Sequence, residues 1–233
     1  MTAQRLRSEI GGRIVFFYHD SDHDPRETQT YVRDQSVGGE RCLNFSFKNK
    51  IQKKYSPLYA KELVEGWQSD MARQLPKFAS NSVLGIFKET VATNIADFCL
   101  EMYESLGILE GIEVVRSSDP EFRSEACVVN DFFVDTDYEG EWVRARIADK
   151  GKLQLHRGGG KFIDLLARSW TPEHISPTRD SRLLWMQSVI HCTHYVAGAG
   201  ELQYLKMEEA PEVEFVTRDP IDNASAAYLP ETL

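Results

Sequence analysis

Short apolar runs between polar turns occur near both ends of the chain. Residues 13–18 form the first, a continuous run rich in β-formers that follows two glycines and precedes charged residues. Such a run is typical of a strand buried on both faces of a parallel sheet. The same reasoning predicts strands at 42–47, 112–115, 193–197 and 213–216.

Helical periodicity fills much of the remaining chain. One stripe recurs at every fourth residue before Pro76: Leu63, Trp67, Met71 and Leu75. A second stripe steps by three and four residues from Leu84 to Leu106 and ends at Gly107. Core packing is the ordinary interpretation of both stripes, and a cofactor groove is the alternative. Further helices are predicted from Pro120 and at 161–170, 179–190 and 201–209, with a hairpin turning at 149–152.

Strands alternate with helices at both ends, which indicates an α/β fold. We predict a Rossmann-like, mostly parallel sheet flanked by helices, with a small hairpin insertion. A length of 233 residues fits one large domain, and the sequence has no internal repeat and no obvious linker. Residues 1–233 are therefore predicted to form a single domain, with a helical insertion at about 57–107.

Composition narrows the class of protein. The chain is 42% hydrophobic and 11% aromatic, which excludes collagen-like and disordered classes. Its 27 Lys and Arg against 36 Asp and Glu give a net charge of -9, which disfavours binding to duplex nucleic acid. No stretch approaches 18 apolar residues, so no membrane span is predicted. Four well-separated cysteines without a C-x-x-C pair favour reduced thiols and a cytoplasmic location.

Two basic segments leave alternatives open. Residues 41–61 carry six basic side chains and no acidic ones, interleaved with aromatic residues. They suit either phosphate or single-stranded nucleic acid, although a solvated loop and helix start is more ordinary. Residues 157–161, Arg-Gly-Gly-Gly-Lys, suit either a phosphate loop or a hairpin-to-helix connector, and the connector is more ordinary.

The densest polar cluster follows the first predicted strand. In open α/β sheets, ligands bind beyond the carboxyl ends of the strands. The candidate residues of this loop are His19, Asp20, Asp22, His23, Asp24 and Glu27. Imidazoles and carboxylates together can exchange protons near neutral pH, or bind a divalent metal. The ordinary alternative is a turn in which Asp24 caps a helix starting at Pro25.

A second candidate site follows the strand predicted at 193–197. A G-x-G turn and a helix start would place backbone N–H groups where they could hold an anion. The candidate substrate-binding residues are His194, Gly198, Gly200, Glu201 and Tyr204. The turn has neither the third glycine of a dinucleotide fingerprint nor the lysine of a phosphate-binding loop.

These two segments together resemble a known family, the bacillithiol-biosynthesis cysteine-adding enzymes. An apolar strand leading into Asp22-His23-Asp24 with Glu27 is similar to that family's strand and Glu-Asp-His-Asp box, with Ser21 in place of the first Glu. Residues 176–205 resemble its Ser-Pro, helix and Tyr-Val-x-Gly-Pro-Gly-Glu-x-x-Tyr block, with Ala199 in place of Pro. Residues 106–123 are similar to its middle segment.

The resemblance implies a Rossmann-like core and a ligase or transferase activity of thiol biosynthesis, the addition of cysteine to glucosaminyl malate. Carried over by position, the residues lining the substrate pocket would be Asp22, His23, Asp24, Gly198, Gly200, Glu201 and Tyr204. His23 would act as acid and base or hydrogen-bond to an activated carboxyl, with Asp22 and Asp24 orienting it or binding an amine. The expected partner is a small-molecule substrate, a nucleotide is the one cofactor candidate, no metal is assigned, and a homo-oligomer is left open.

Two features of the family are not found in this sequence: the strand–loop–helix before the acidic box, and the C-terminal coiled coil. The chain is therefore expected to be a truncated, core-only relative. One alternative is a non-catalytic binding or scaffold protein. Another is a metal-dependent hydrolase using His19, Asp22, His23 and Asp24. The ligase hypothesis expects the 19–27 loop and the 198–200 turn to face each other across one cavity.

Overall fold

The computed structural model describes residues 2–34, 39–75, 80–148, 151–166 and 169–220. Their contacts divide the chain into two units. Unit 1 comprises Met1–Ser21 and Gly111–Pro220, and unit 2 comprises Asp22–Glu110. The helical insertion predicted at about 57–107 falls within unit 2. The single domain predicted for residues 1–233 stays a prediction.

Unit 1 contains two pairs of parallel strands. β1 (Val15–Tyr18) pairs with β4 (Glu113–Arg116), and β10 (His194–Ala197) pairs with β11 (Glu214–Thr217). Aromatic and β-branched residues favour these pleated segments. The strands predicted at 13–18, 112–115, 193–197 and 213–216 are therefore confirmed. Helix α1 (Thr2–Ile10), which the sequence reading missed, ends before β1 at two glycines with positive φ.

The largest described sheet is antiparallel, so the prediction of a mostly parallel Rossmann-like sheet is wrong. Its strand order is β8 (Lys161–Asp164), β7 (Leu153–Gly158), β6 (Glu141–Ile147), β5 (Phe132–Tyr138) and β9 (Ile175–Pro177). β5 and β6 join through Glu139 and Gly140, whose φ values of 53° and 80° suit a tight hairpin. The sequence does not predict β5, because the polar residues Asp135 and Thr136 are buried in its centre beside Val134 and interrupt the apolar pattern of a strand.

The hairpin predicted within 142–156 is confirmed as β6 and β7, but it belongs to the main sheet instead of forming a small insertion. Two of its predicted turn residues, 149–150, lie outside the described residues. The helix predicted at 161–170 is wrong, because residues 161–164 form β8; residues 167–168 lie outside the described ranges. Gly158, Gly159 and Gly160 have φ values of 94°, 59° and 70° and turn the chain back from β7 to β8.

Two helices of unit 1, those predicted from Pro120 and at 179–190, lie where the sequence predicts them, whereas the one predicted at 201–209 is α-helical only at its first two residues. α6 (Pro120–Glu125) begins after Asp119, whose side chain accepts from the backbone N–H of Glu121. α7 (Arg182–Ile190) packs one set of side chains on the β10–β11 pair and places Trp185 against Phe122. Beyond β10, the predicted 201–209 helix is a short α8 (Ala199–Leu202) followed by a 3₁₀ turn at Met207–Glu209.

Unit 2 combines one antiparallel strand pair with helices. β2 (Gln29–Asp34) pairs with β3 (Gly39–Asn44), which overlaps the strand predicted at 42–47. The described helices are α2 (Lys50–Tyr55), α3 (Trp67–Ala72), α4 (Asn81–Glu89) and α5 (Ile95–Ser105). Their core is formed by Leu43, Trp67, Met71 and Phe98. Core packing thus accounts for the apolar stripes.

Both apolar stripes are less helical than predicted. Leu63 forms an isolated bridge with Phe47, so the first stripe is helical only from Trp67; Pro76 lies outside the described residues. The second stripe is split into α4 and α5, because the side chain of Asn94 accepts from the N–H of Asp97 and starts a new helix there.

Across the described ranges, no helix combines the length and the apolar character that crossing a bilayer requires.

Candidate functional site

The structure distributes the predicted site residues over both units. Unit 1 contains His19, His194, Gly198, Gly200, Glu201 and Tyr204, and unit 2 contains Asp22, His23, Asp24 and Glu27. His19, His194 and Glu201 line one cleft of unit 1, and Tyr204 contacts a further residue of its lining. The expected arrangement of the 19–27 loop opposite the 198–200 turn involves residues of both units and stays a prediction.

The cleft has a volume of about 480 Å³ and is lined by residues of α1, β1, α7 and β10. Much of its wall is apolar: Leu6, Ile10, Phe16, Phe17, Met186 and Ile190. Its polar side chains include His19, Arg182, His194, Tyr195 and Glu201. Apolar walls with a few convergent polar groups are the usual composition of a small-molecule site.

Arg182 is the central polar residue of this cleft. Its Nη2 donates to Glu201 Oε1 at 2.8 Å and to the Tyr204 hydroxyl at 3.2 Å. The Tyr195 hydroxyl donates to the same Glu201 oxygen at 2.9 Å. Arg182 Nε is buried and has no hydrogen-bond partner among the described residues. A buried donor without an acceptor costs about 1–3 kcal/mol, so the guanidinium has donor capacity that the described residues leave unused, and Arg182 lines the cleft.

The charges around Arg182 keep its guanidinium positive. Burial lowers the pKa of Arg182, but Tyr195, Glu201 and Tyr204 raise it by more, and the net direction is upward. Burial, followed by the nearby Glu201 carboxylate, raises the pKa of Tyr195 well above its usual value. Tyr195 therefore keeps its proton and donates a hydrogen bond to Glu201. Since Glu201 occupies Nη2, the remaining guanidinium donors are the ones available to an anionic oxygen.

Two imidazoles share the cleft with Arg182. The ring of His19 stacks on Phe17 with centroids 6.1 Å apart. His194 Nδ1 lies 3.1 Å from the Thr193 hydroxyl, and its Nε2 lies 3.4 Å from a Glu214 carboxylate oxygen. Because imidazole titrates near neutral pH, these side chains could supply a general acid or base to a bound molecule.

The turn at Gly198 has a different environment from the one expected. The helix that follows it, α8, has only four residues, so it offers little of the dipole that attracts anions to longer helices. A Cβ added at Gly198 would lie 3.6 Å from Arg218 Nε, so an arginine side chain already packs against this turn. Substrate binding by Gly198 and Gly200 stays a prediction.

Local hydrogen bonds account for both aspartates of the 22–24 segment. Asp22 Oδ1 accepts from the backbone N–H groups of His23 and Asp24, at 2.6 and 2.9 Å. Asp24 caps the 3₁₀ turn at Pro25–Thr28 by accepting from the N–H of Arg26 at 2.9 Å, which confirms the predicted cap. A hydrogen bond from the Arg26 side chain lowers the pKa of Asp24. His23 Nδ1 lies 3.9 Å from Asp22 Oδ1.

Lys61 also contacts this segment, and the sequence analysis does not single it out as a site residue. Its side chain is fully buried, and its Nζ donates to the carbonyls of His23 and Lys53 at 3.1 and 3.2 Å. The ammonium group also lies 5.6 Å from the centre of the Phe47 ring. Burial lowers the pKa of Lys61 to about 8, against the opposing effect of nearby carboxylates. The sequence shows Lys61 only as one of six basic residues, so nothing local distinguishes it.

A buried carboxylate ties the carboxyl ends of β1 and β4 together. Asp20, fully buried, accepts from Arg116 Nε at 2.7 Å and from the Ser118 N–H and hydroxyl at 2.9 and 2.6 Å. Ser117 donates to the same side chain at 3.0 Å. Asp20, in the first part of the polar loop, therefore stabilises the ends of two strands of unit 1.

Unit 1 thus combines helices and strands, and its cleft is lined by apolar side chains together with a few polar ones. No protein-family model matches the chain, and no curated protein matches it. Within the described ranges, no group of three or more His, Cys, Asp and Glu side chains is placed to hold a metal ion. The metal-dependent hydrolase stays a prediction.

Proposed function

We propose that the chain is a ligase- or transferase-type enzyme whose unit 1 cleft binds a substrate carrying a carboxylate or a phosphate. The observation that supports this is the Arg182 side chain, which lines the cleft and whose buried Nε has no acceptor among the described residues. An anionic oxygen of the substrate would accept from it. The apolar wall would bind the rest of the molecule.

The chemistry of the substrate follows from this cleft and from the family resemblance. Amino acids and malate conjugates carry the carboxylate that Arg182 would bind. His19 and His194 stand within the same cleft and would transfer protons there, while His23, with Asp22 and Asp24, remains the proposed catalytic group through the resemblance alone. A nucleotide cofactor, a cytoplasmic location and a homo-oligomer belong to the same proposal.

Substituting Arg182 tests the binding site. We expect Arg182→Met to weaken binding of L-malate at least ten-fold, since a hydrogen bond to a charged group contributes about 1.5–3 kcal/mol. Isothermal titration calorimetry measures this. Arg179→Met is the matched control, because the Arg179 guanidinium lies over the Tyr204 ring at 5.0 Å yet Arg179 is not in the cleft lining. Equal affinities in wild type and Arg182→Met would contradict the proposed site.

A non-catalytic binding protein is the second candidate, favoured by the use of Asp22 and Asp24 in a turn and a cap. The two candidates differ in turnover. With cysteine and glucosaminyl malate as substrates, the enzyme hypothesis expects His23→Ala to slow product formation by about 10²–10⁴-fold. The exposed His156 gives a matched control, His156→Ala, which should keep the wild-type rate. A wild-type protein that binds these molecules without forming product would favour the binding protein.

A further inference from the structure

The cleft is bordered by a strand edge of β10. Successive residues of a strand direct their backbone groups to opposite sides. The carbonyls of Thr193 and Ala197 accept from the N–H groups of Glu214 and Arg218, each at 2.9 Å, so alternate residues of β10 face β11. His194 and Val196 therefore direct their N–H and C=O groups away from β11, and both residues line the cleft.

β1 borders the same cleft in the same way. The carbonyls of Ile14 and Tyr18 accept from the N–H groups of Glu113 and Ser117, each at 3.0 Å, so these alternate residues face β4. Val15 and Phe17 direct their backbone groups away from β4, and both line the cleft. Among the described strands, β1 pairs only with β4 and β10 only with β11. The cleft thus has backbone donors and acceptors of two strands along its sides.

We propose that the ligand of this cleft is an extended, peptide-like acid that adds to these edges as a short strand. This inference rests on the proposed function, because the acid group would pair with Arg182. The ligand's amides would bond with the backbone groups at Val15, Phe17, His194 and Val196, a recurrent mode of peptide recognition. Paired strands of four residues, at about 3.3 Å each, match a ligand of roughly three or four residues.

The wall of the cleft indicates the side chains of that ligand. Leu6 and Ile10 of α1 and Met186 and Ile190 of α7 line it. Strands covered by helices are rich in valine, isoleucine and leucine, so apolar ligand side chains suit this lining. The acid belongs at the end near the Arg182 guanidinium, whose Nη2 pairs with Glu201 and whose other donors remain for the ligand.

Three forms of one peptide test this proposal: acetyl-Val-Ala-Val with a free carboxylate, its C-terminal amide, and its form N-methylated at every backbone amide. We expect the free acid to bind, and amidation and N-methylation each to weaken binding at least ten-fold. The loss on amidation should disappear in Arg182→Met. Hydrogen exchange followed by NMR should show the N–H groups of His194 and Val196 protected only with the free acid.

The outcomes separate the two proposals. If the free acid fails to bind at about 1 mM, or the N-methylated peptide binds as well, the peptide-like class is wrong, while malate binding through Arg182 can still stand. If malate binding does not depend on Arg182, the proposed function itself fails, whatever the peptides do.

A backbone variant provides a second test in the chain itself. Val196→Pro removes an N–H that faces the cleft and keeps the N–H groups that pair β10 with β11. Proline is tolerated at such edge positions. We expect Val196→Pro to weaken binding of the free-acid peptide at least ten-fold relative to Val196→Ala, which changes the same side chain and keeps the backbone N–H. Equal binding by the two variants would overturn strand addition, and the N-methylated peptide on wild-type protein decides the matter if Val196→Pro does not fold.

Discussion

Replacing Arg123 by methionine is expected to lower the free energy of unfolding by about 3–5 kcal/mol. Arg123 is 3% exposed and donates to acceptors in several elements. Its Nη1 donates to Asp135 Oδ2 at 2.7 Å and to the Glu173 carbonyl at 2.9 Å. Its Nη2 donates to the Ser21 hydroxyl at 2.7 Å, and its Nε to the Ser117 carbonyl at 2.8 Å. Methionine would remove the ion pair and the hydrogen bond that Arg123 gives to the buried Asp135 carboxylate.

Urea unfolding at neutral pH measures this loss, and the chain offers a matched control. Arg13 also pairs with a carboxylate, Glu113 at 2.9 Å, but both side chains are exposed. Arg13→Met should therefore change stability by no more than about 1 kcal/mol. Adding Asp135→Asn to Arg123→Met should recover part of the loss, because the buried carboxylate that has lost its Arg123 partner is then replaced by a neutral amide. A loss below 1 kcal/mol in Arg123→Met would show that the pair is not buried as described.

The same contacts explain why the first polar loop is only partly available for chemistry. Asp20 and Ser21 are both fully buried and are held by Ser117, Ser118 and Arg123. The sequence presents them as members of one dense polar cluster with the residues that follow. The structure separates their roles: the first positions anchor the strand ends of unit 1, and the turn and cap at Asp22 and Asp24 belong to unit 2.

Local patterns predicted the strands of unit 1 that pair in parallel, because apolar runs between glycines and charges need only neighbouring residues to be recognised. The antiparallel sheet could not be recognised in this way. β5 buries Asp135, whose partner Arg123 lies in another element, and β6 buries Arg144, which donates to the Ser176 hydroxyl at 2.9 Å. Residues far apart in sequence pair with each other, so polar side chains become buried in the strands. The local alternation of apolar and polar residues does not show this.

The candidate site was predictable to a similar extent. His19, His194 and Glu201 were selected as polar groups at strand ends, and they line the cleft. Arg182, its central cation, was not selected, since it lies at the start of a helix whose next residues are apolar. One feature of the sequence could have identified it: a cation in the first turn opposes the helix dipole, and that cost needs a compensating partner. The partner, Glu201, lies on another element.

Raising the pH from 7 to 9.5 is expected to stabilise the wild-type protein relative to Lys61→Met by on the order of 2 kcal/mol. The pKa of Lys61 is about 8 in the folded chain because of burial, against an ordinary 10.5. Between these values the unfolded chain binds more protons than the folded one, so stability rises with pH. Below pH 8 both states are charged, and the folded state bears the full cost of burying the ammonium group.

Urea unfolding of both proteins at pH 7, 8.5 and 9.5 measures this difference, and titrations that the two share cancel. Lys53→Met is the matched control, because Lys53 is exposed and contributes only its backbone carbonyl to the Lys61 site. Its stability should follow wild type at every pH. Parallel curves for wild type and Lys61→Met would mean that Lys61 keeps an ordinary pKa. The ammonium would then be hydrated, and the carbonyls of His23 and Lys53 would not hold it in a buried site.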